Sequence, residues 1–381
     1  MQKNKLFFIY CLTGLLFLGC FRFGLLLAEH KPLWNDEIYT QISSVSGKTY
    51  TEILTGKIGE GNISPSFYVI QKFICSLFQY QNTDLRRTQG IYDRIVLRIN
   101  PVFFMSLSAA LIFYYFSRYY SLWLGSYSIA IFFSSFMVWH YWAEARHYAF
   151  WVFLTTVQTL LFLSLLRQDK QNQRTWFALI AIHFILCFTL IFSAIQIMVA
   201  SFLLWYVIDK HQWRYWGKYL IMGIIPVSIC VLYYMNSPRY GFWFADGPIA
   251  LLSANISKDR FLIIFGSSLY LLYFWIKNKV QGQANSKDLK ETGTYCLFVT
   301  GTLAAFCLVL LKFKLGEAAN QQGFQISNRY FIGLTPIGII ATTLFSVYLV
   351  KASNNKAIRT FIILVLAGLL LVRILRTMGR L

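Results

Sequence analysis

Residues Leu6 to Ala28 read LFFIYCLTGLLFLGCFRFGLLLA, and this apolar run decides the fold class. It holds one charged residue, Arg22, and it is long enough for a helix to cross a bilayer, which takes about 20 apolar residues. Lys3 and Lys5 precede it, as they would in a cleaved signal peptide, but the run is long for the apolar part of such a peptide. We interpret it as a signal-anchor helix, the first of several spans.

Composition extends this interpretation to the whole chain. Of its 381 residues, 57% are hydrophobic and 13% charged, whereas a soluble globular chain has about 25% charged residues. This excludes a soluble enzyme, a disordered chain and a disulfide-stapled secreted domain. The seven cysteines form no CxxC pair and lie mostly in apolar runs, which is typical of buried small side chains. The net charge of +20 is scattered between apolar runs, which indicates membrane topology rather than nucleic-acid binding.

The pattern predicts an all-α polytopic membrane protein with about eleven transmembrane helices. The predicted spans are 6–28, 97–117, 121–140, 147–166, 176–190, 193–208, 218–235, 260–277, 293–311, 330–350 and 358–375. With the N-terminus in the cytoplasm, sixteen basic residues fall in inside segments and seven in short outside loops. An odd span count places Arg373, Arg376 and Arg380 outside. This disagrees with the rule that basic residues lie mostly on the cytoplasmic side, unless the last helix lies on the surface or one span is miscounted.

Residues 29–96 form a long predicted outside loop between the first two spans. The window 29–100 holds seven of the fifteen acidic residues of the chain, and long loops on a rigid scaffold often carry function. The apolar stretch that begins at Ser64 is too short for a comfortable span, so we predict a helix in the interface plane. We expect residues 1–350 to form one transmembrane module, followed by a last helix and basic tail over 351–381.

The pair Asp36-Glu37 follows Trp34 and Asn35 just outside the first span. Adjacent side chains on a helix diverge by about 100°, so one carboxylate can face a pocket while the other holds the loop. At a low-dielectric boundary a carboxylate can act as a general base towards a hydroxyl, or help to hold a divalent cation. The other interpretation is a solvated acid pair at a helix start.

Two further groups place arginine at the outer face. Glu144, Arg146, His147 and Tyr148 lie in an aromatic-rich loop, which suits either a phosphate-binding arginine or an interfacial aromatic belt with one snorkelling arginine. Arg329-Tyr330 opens the tenth span, as an anion site at a helix N-terminus or as an ordinary boundary charge.

Together these segments resemble the GT-C superfamily of membrane glycosyltransferases. The resemblance is closest to the branch of the protein O-mannosyltransferases, the lipid A aminoarabinose transferases and the bacterial family 39 proteins. The matching segments are Trp34-Asn35-Asp36-Glu37 (W-x-D-E), Asn62 to Ile70 (H-P-P-L-Y), Arg98-Ile99-Asn100-Pro101 (R-L-P-S), Glu144-Ala145-Arg146-His147-Tyr148 (E-A-R-x-Y) and Arg329-Tyr330 with Pro336 (R-Y-x-x-x-x-x-P). Two features depart from the family: Ser64-Pro65-Ser66 lacks its histidine and first proline, and no soluble outside domain follows.

The resemblance implies transfer of a sugar from a polyprenyl-phosphate carrier to a hydroxyl of a lipid, glycan or protein, with inversion, at an extracytoplasmic site in a bacterial inner membrane. It implies Asp36 and Glu37 as catalytic residues, with Asp36 as base, and Arg146 and Arg329 at the donor phosphate. Trp34, Glu144, His147, Tyr148 and Tyr330 would line the pocket. The cofactor stays open, with a divalent cation as one option. No nucleic-acid partner is expected.

Two other functions compete with this one. A transporter or flippase for a lipid-linked sugar would need a polar path through the spans, for which His183 and Gln196 are among the few candidates. For His183 we favour a hydrogen bond to a neighbouring helix. A non-catalytic assembly protein would use the loop as a docking surface.

Overall fold

The computed structural model describes residues 2–60, 63–82, 84–87, 89–167, 172–209, 216–236, 291, 293–305, 332–351 and 355–379. These residues are helical or in short turns, and no β-strand occurs among them. The all-α prediction is therefore confirmed for this part of the chain.

Fifteen helices are labelled in chain order across the described ranges. They are α1 (Gln2–His30), α2 (Asn35–Thr40), α3 (Tyr50–Leu54), α4 (Pro65–Leu77), α5 (Ile91–Tyr119), α6 (Leu122–Phe133), α7 (Phe136–Trp142), α8 (Tyr148–Arg167), α9 (Gln173–Cys187), α10 (Ser193–Leu204), α11 (Trp216–Tyr219), α12 (Ile225–Met235), α13 (Gly293–Ala305), α14 (Thr335–Lys351) and α15 (Lys356–Met378). Wider π-helical turns continue α2 over Gln41–Val45 and α10 over Trp205–Asp209, and one over Leu220–Ile224 joins α11 to α12.

Six helices in the described residues are long and apolar enough to cross a membrane, and a bent pair raises the number to seven. The six are Asn4–His30, Ile91–Tyr119, Tyr148–Arg167, Trp216–Met235, Ile332–Lys351 and Lys356–Met378. Such helices are typical of a multi-pass membrane protein. The described ranges do not confirm the predicted count of about eleven, since α9, α10 and α13 are apolar but shorter than these helices. The predicted span 260–277 lies outside the described residues.

Helices α5 and α8 form the centre of the packing. Of their apolar windows, 67% and 78% of residues are buried, compared with 0% for α15. Helix α5 packs on α1, α6 and α8, and α14 packs on α6 and α8. Among the described residues, α15 thus leaves its apolar surface mostly uncovered.

A proline in the first half of α5 creates the docking point for α4. Pro101 has no N–H to give to the carbonyl of Leu97, and the Gln71 side chain fills this gap with a 2.9 Å Nε2 to carbonyl bond. Asn100 Nδ2 donates to Gln71 Oε1 at 3.0 Å. One buried amide thus satisfies the free carbonyl and fixes α4 beside the head of α5.

The segment between α1 and α5 contains only short helices. The longest, α4, has 13 residues, too few for a span, as the sequence predicts. Pro65 lies in its first turn, where a missing N–H costs nothing. In α3 Thr49 and Glu52 form a capping box, with Glu52 Oε2 accepting the Thr49 N–H at 2.7 Å.

A sharp bend delivers the turn that carries Arg146. Helices α6 and α7 meet at 72° across Ser134 and Ser135. Thr377 near the end of α15 donates to the Ser134 carbonyl at 2.8 Å, which ties the last helix to this bend. Helix α7 therefore leaves the bundle axis and leads into the turn 143–147.

The predicted hydrogen bond of His183 is confirmed. Its Nε2 lies 3.0 Å from Gln158 Nε2, and its Nδ1 lies 2.7 Å from the Met222 carbonyl. Gln196 donates to Gln158 Oε1 at 2.9 Å. All three side chains are fully buried, so this cluster links α8, α9, α10 and the π-helical turn before α12.

Candidate functional site

The site is built around the first turn of α2. Trp34 has extended backbone geometry and precedes the helix, and its N–H donates to Glu37 Oε2 at 3.1 Å. This bond is the backbone half of a capping box. The negative charges of the two acids in the first turn interact favourably with the positive end of the helix dipole. Because adjacent side chains on a helix diverge by about 100°, Asp36 and Glu37 leave α2 in different directions.

Glu37 is fully buried and accepts hydrogen bonds from four donors. Arg98 approaches it in the two-pronged geometry, with Nε to Oε1 at 2.8 Å and Nη2 to Oε2 at 2.6 Å. The Ala145 N–H donates to Oε1 at 2.6 Å, and the Trp34 N–H is the fourth donor. One carboxylate therefore joins α2, α5 and the turn 143–147.

Arg98 has partners for all five of its N–H groups. Besides Glu37, it donates to the carbonyls of Ala28 at 3.1 Å, Pro32 at 2.8 Å and Lys31. These carbonyls lie in or just after the last turn of α1, where a cation offsets the negative end of the helix dipole. Arg98 therefore fixes the direction in which the chain leaves α1 for α2.

Asp36 points to Arg146 instead. Its Oδ2 lies 2.9 Å from Arg146 Nη1, and its side chain is 33% exposed, whereas that of Arg146 is 8% exposed. The guanidinium also lies over the Tyr148 ring, 5.6 Å from its centroid. Arg146 Nε has no hydrogen-bond partner within the described residues. Of the buried guanidinium and the acid, the acid is the one that solvent can reach.

Glu60 is the third member of this ion cluster, and no motif or periodicity in the sequence marks it. Its Oε1 lies 3.1 Å from Arg146 Nη2, and its Oε2 accepts from the hydroxyls of Tyr68 at 2.6 Å and Thr40 at 3.0 Å. Burial, and then the negative charge of Glu60, raise the pKa of Tyr68 well above its usual value. Tyr68 therefore stays a hydrogen-bond donor. We call Asp36, Arg146 and Glu60 the ion triad.

Glu144 lies beside the ion triad and is 1% exposed. Burial first, and then the charge of Glu37, raise its pKa to about 7 against the opposing effect of Arg146. Its Oε1 has no hydrogen-bond partner within the described residues. Glu144 is thus an acid that can hold a proton near neutral pH, next to carboxylates that are ion-paired.

The structure brings together most of the residues predicted for the site. Asp36, Glu37, Glu144, Arg146 and Tyr148 belong to one connected set of contacts. His147 is buried with its ring centroid 4.4 Å from that of Tyr148, and Trp34 is 43% exposed beside the site rather than within it. Arg329 and Tyr330 lie outside the described residues.

Three further residues shape the site and were not predicted to belong to it: Glu60, Tyr68 and Arg98. Tyr68 and Arg98 lie in segments that match family motifs, so those motifs were the available signal. Within the described residues, no group of three or more His, Cys, Asp or Glu side chains could hold a metal ion.

The ion pairs of the site hold one more carboxylate than guanidinium. Glu37 and Arg98 cancel, and the ion triad carries two carboxylates for one guanidinium. An anion that binds Nη1 or Nη2 of Arg146 would therefore compete with a carboxylate of the ion triad.

No protein-family model matches the chain, and no curated protein shows significant sequence similarity to it.

Proposed function

We propose that this protein is a membrane glycosyltransferase that moves a sugar from a polyprenyl-phosphate donor to a hydroxyl of a lipid, glycan or protein. The observation that carries the proposal is the contact between partly exposed Asp36 and buried Arg146, at the end of the apolar helices α1, α5 and α8. A lipid-linked donor cannot leave the bilayer, so its chemistry has to take place where the spans end. The resemblance to the GT-C superfamily supplies the reaction class.

In this mechanism donor binding and base activation are coupled. The donor phosphate takes the place of Asp36 at Arg146, because the two non-bridging oxygens of the monoanionic phosphodiester match the forked guanidinium. The released Asp36 carboxylate accepts the proton of the acceptor hydroxyl. The hydroxyl oxygen attacks the anomeric carbon, the bond from that carbon to the phosphate oxygen breaks, and the polyprenyl phosphate leaves with the bonding electrons. Attack opposite to the leaving group inverts the configuration.

Glu37 has a positioning role in this scheme, because its oxygens already accept four hydrogen bonds. Glu60 holds Arg146 from the other side, so the guanidinium keeps its place when Asp36 leaves it. Glu144, with a pKa of about 7, is a candidate to relay the proton onwards. Arg329 and Tyr330 keep the donor-side roles that the resemblance implies.

We further propose that the ion triad lies on the extracytoplasmic face of a bacterial inner membrane, and that the bundle has about eleven spans. The bias of basic residues towards the other side supports this orientation. Polyprenyl-phosphate sugars are used on that face, which fits a loop rich in acids between α1 and α5.

The transporter alternative would instead require polar groups that line a path through the helix interior. The polar residues His183, Gln158 and Gln196 are hydrogen-bonded to one another and fully buried. That arrangement suits helix association in a bilayer, where polar side chains connect neighbouring spans.

Transfer can be tested with the purified chain in lipid nanodiscs. Undecaprenyl-phosphate mannose, glucose and aminoarabinose serve as radiolabelled donors, and extracted envelope lipids and glycans serve as acceptors. Asp36→Asn should lower transfer roughly 100- to 10,000-fold while the thermal transition of the protein is kept, because the side chain is partly exposed. Asp84→Asn, an exposed acid of the same loop, is the matched control. Normal turnover by Asp36→Asn would remove Asp36 as the base.

A further inference from the structure

A polar cavity lies beside the π-helical turn that follows α2. Its volume is about 410 Å³, and it is open to solvent on one side. The π-helical turn after α2, the last turns of α4 and the residues just after α4 line it. Small-molecule sites have volumes of roughly 300–1,000 Å³. None of the residues of the ion triad lines this cavity, so it is a separate space on the same short helix.

The lining consists mostly of hydrogen-bonding groups. Gln41, Ser46, Ser76 and Gln79 contribute amides and hydroxyls, and Lys72 contributes the cation. Gln41 is buried and donates to Ser46 Oγ at 3.0 Å, which fixes one wall. Amides and hydroxyls that surround one cation are suited to a ligand that has both hydroxyl groups and a negative charge.

Lys72 is available for such a ligand. Its ammonium lies 5.4 Å from the centroid of the Tyr50 ring, and no ion pair of Lys72 occurs within the described residues. The nearby Glu52 carboxylate is engaged by the N–H and hydroxyl of Thr49. Gln71, next to Lys72 in sequence, is held on α5, so the backbone that carries the ammonium is fixed.

Gln79 provides an independent observation. It lies two residues after the end of α4 and has a φ of +49°. The helix ends in a Schellman motif, in which the Gln79 N–H donates to the Ser76 carbonyl and the Tyr80 N–H donates to the Cys75 carbonyl. Glycine is the residue that this left-handed position favours. Here the position holds a side chain that lines the cavity, although glycine would fit the backbone better. Backbone positions of this kind are enriched at ligand sites.

We propose that this cavity is the acceptor subsite, and that it binds a saccharide carrying an anionic group. The inference rests on the proposed transfer reaction and names the class of its acceptor. Gln41 follows Asp36 by five residues on one continuous helical segment, about 8 Å along the axis at 1.5 Å per residue. In this proposal a glycan of two or more units occupies the cavity and directs one of its hydroxyls to Asp36.

Binding can be measured without transfer, on the full chain in detergent micelles, by saturation-transfer NMR. The probes are glucose 6-phosphate, glucuronate and glucose, and the two anionic sugars should bind at least tenfold more tightly than glucose. Equal binding of glucose would refute the role of charge. Inorganic phosphate competing as well as glucose 6-phosphate would refute the saccharide part. Failure of both anionic sugars to bind would refute the site.

Two variants examine the cavity, with one control. Lys72→Gln should weaken binding of glucuronate at least tenfold. Gln79→Gly should weaken it severalfold while the thermal transition stays the same or rises, because glycine suits the left-handed backbone. Lys57→Gln, at an exposed lysine of the same loop outside the cavity, should bind like the unaltered protein. Unchanged affinity in both cavity variants would overturn the proposal.

The two proposals can fail separately. Lys72→Gln should raise the KM for the acceptor and leave the KM for the donor unchanged. If Asp36→Asn abolishes transfer while Lys72→Gln alters neither probe binding nor acceptor KM, transferase function stands and the subsite is wrong. If Asp36→Asn turns over normally while the cavity binds anionic sugars, the cavity is a saccharide site but the proposed mechanism fails.

Discussion

Asp36 and Glu37 are consecutive on one helical turn, yet their carboxylates have different arginine partners. Glu37 is buried against Arg98, and partly exposed Asp36 meets Arg146. The divergence of about 100° between adjacent helical side chains accounts for this division. Glu37 holds the loop, and Asp36 is open to solvent.

Breaking the buried pair should destabilise the fold. Glu37→Gln leaves Arg98 without its counter-charge, and losing one partner of a buried ion pair costs about 3–5 kcal/mol. The measurement is the free energy of unfolding in mixed micelles, with Asp84→Asn as the exposed-acid control. A cost below about 1 kcal/mol, the value of a surface pair, would mean that Glu37 does not hold the loop.

Replacing Arg146 by lysine should separate charge from geometry. Lysine keeps the positive charge but cannot reach Asp36 and Glu60 together with a planar fork. We expect the KM for the donor to rise by about tenfold, for a loss of about 1.4 kcal/mol in binding. Donor kinetics at saturating acceptor provide the measurement, and an unchanged KM for the donor would remove Arg146 from the phosphate site.

Stability should fall as the pH rises from about 5 to 8. The pKa of Glu144 is raised from 4.5 to about 7 in the folded chain, so between these values the folded state binds more protons than the unfolded state. The free energy of unfolding then decreases with rising pH, by at most about 3 kcal/mol, and levels off above the folded-state pKa. The Glu144→Gln variant should lose this component, and thermal scans of both proteins across the range would show it. Parallel pH profiles would contradict it.

The contact of Gln71 with Leu97 should depend on Pro101. Gln71→Ala leaves the Leu97 carbonyl without a donor, and an unsatisfied buried group costs about 1–3 kcal/mol. In a Pro101→Ala background the helix supplies its own N–H, so the same change should cost less. A double-mutant cycle measures this coupling. Additive costs would show that Gln71 acts on α5 in some other way.

Labelling can test which side of the membrane carries the loop. In a cysteine-free background, Thr51→Cys on α3 should react with a membrane-impermeant maleimide from outside the cell. Lys356→Cys, at the start of α15, should react only after the membrane is opened. The reverse pattern would invert the proposed topology.

The sequence predicts the helical class well because an apolar run of span length has few alternatives to a helix in a bilayer, where its backbone groups must bond to one another. It also predicts that the acids after α1 and the arginine after α7 belong together, because motif spacing carries that information. Glu60 is different: it lies in a turn with no periodicity or motif to mark it, and only tertiary contacts with Arg146 and Tyr68 bring it to the site. The apolar runs over α9 and α10 also predict helices, and these helices are shorter than the span-length ones, since apolar composition does not reveal where a helix ends.

The many partners of Arg98 have a consequence for biosynthesis. The loop after α1 cannot reach its folded conformation when it leaves the ribosome, because the partners of Glu37 are synthesised later. Arg98 follows Glu37 by 61 residues, and the Ala145 N–H follows it by 108 residues. Until both arrive, a carboxylate destined for a dry interior stays hydrated. The candidate site is therefore assembled only after the chain has been made as far as Ala145, so a shorter nascent chain would carry the acids of the site without their arrangement.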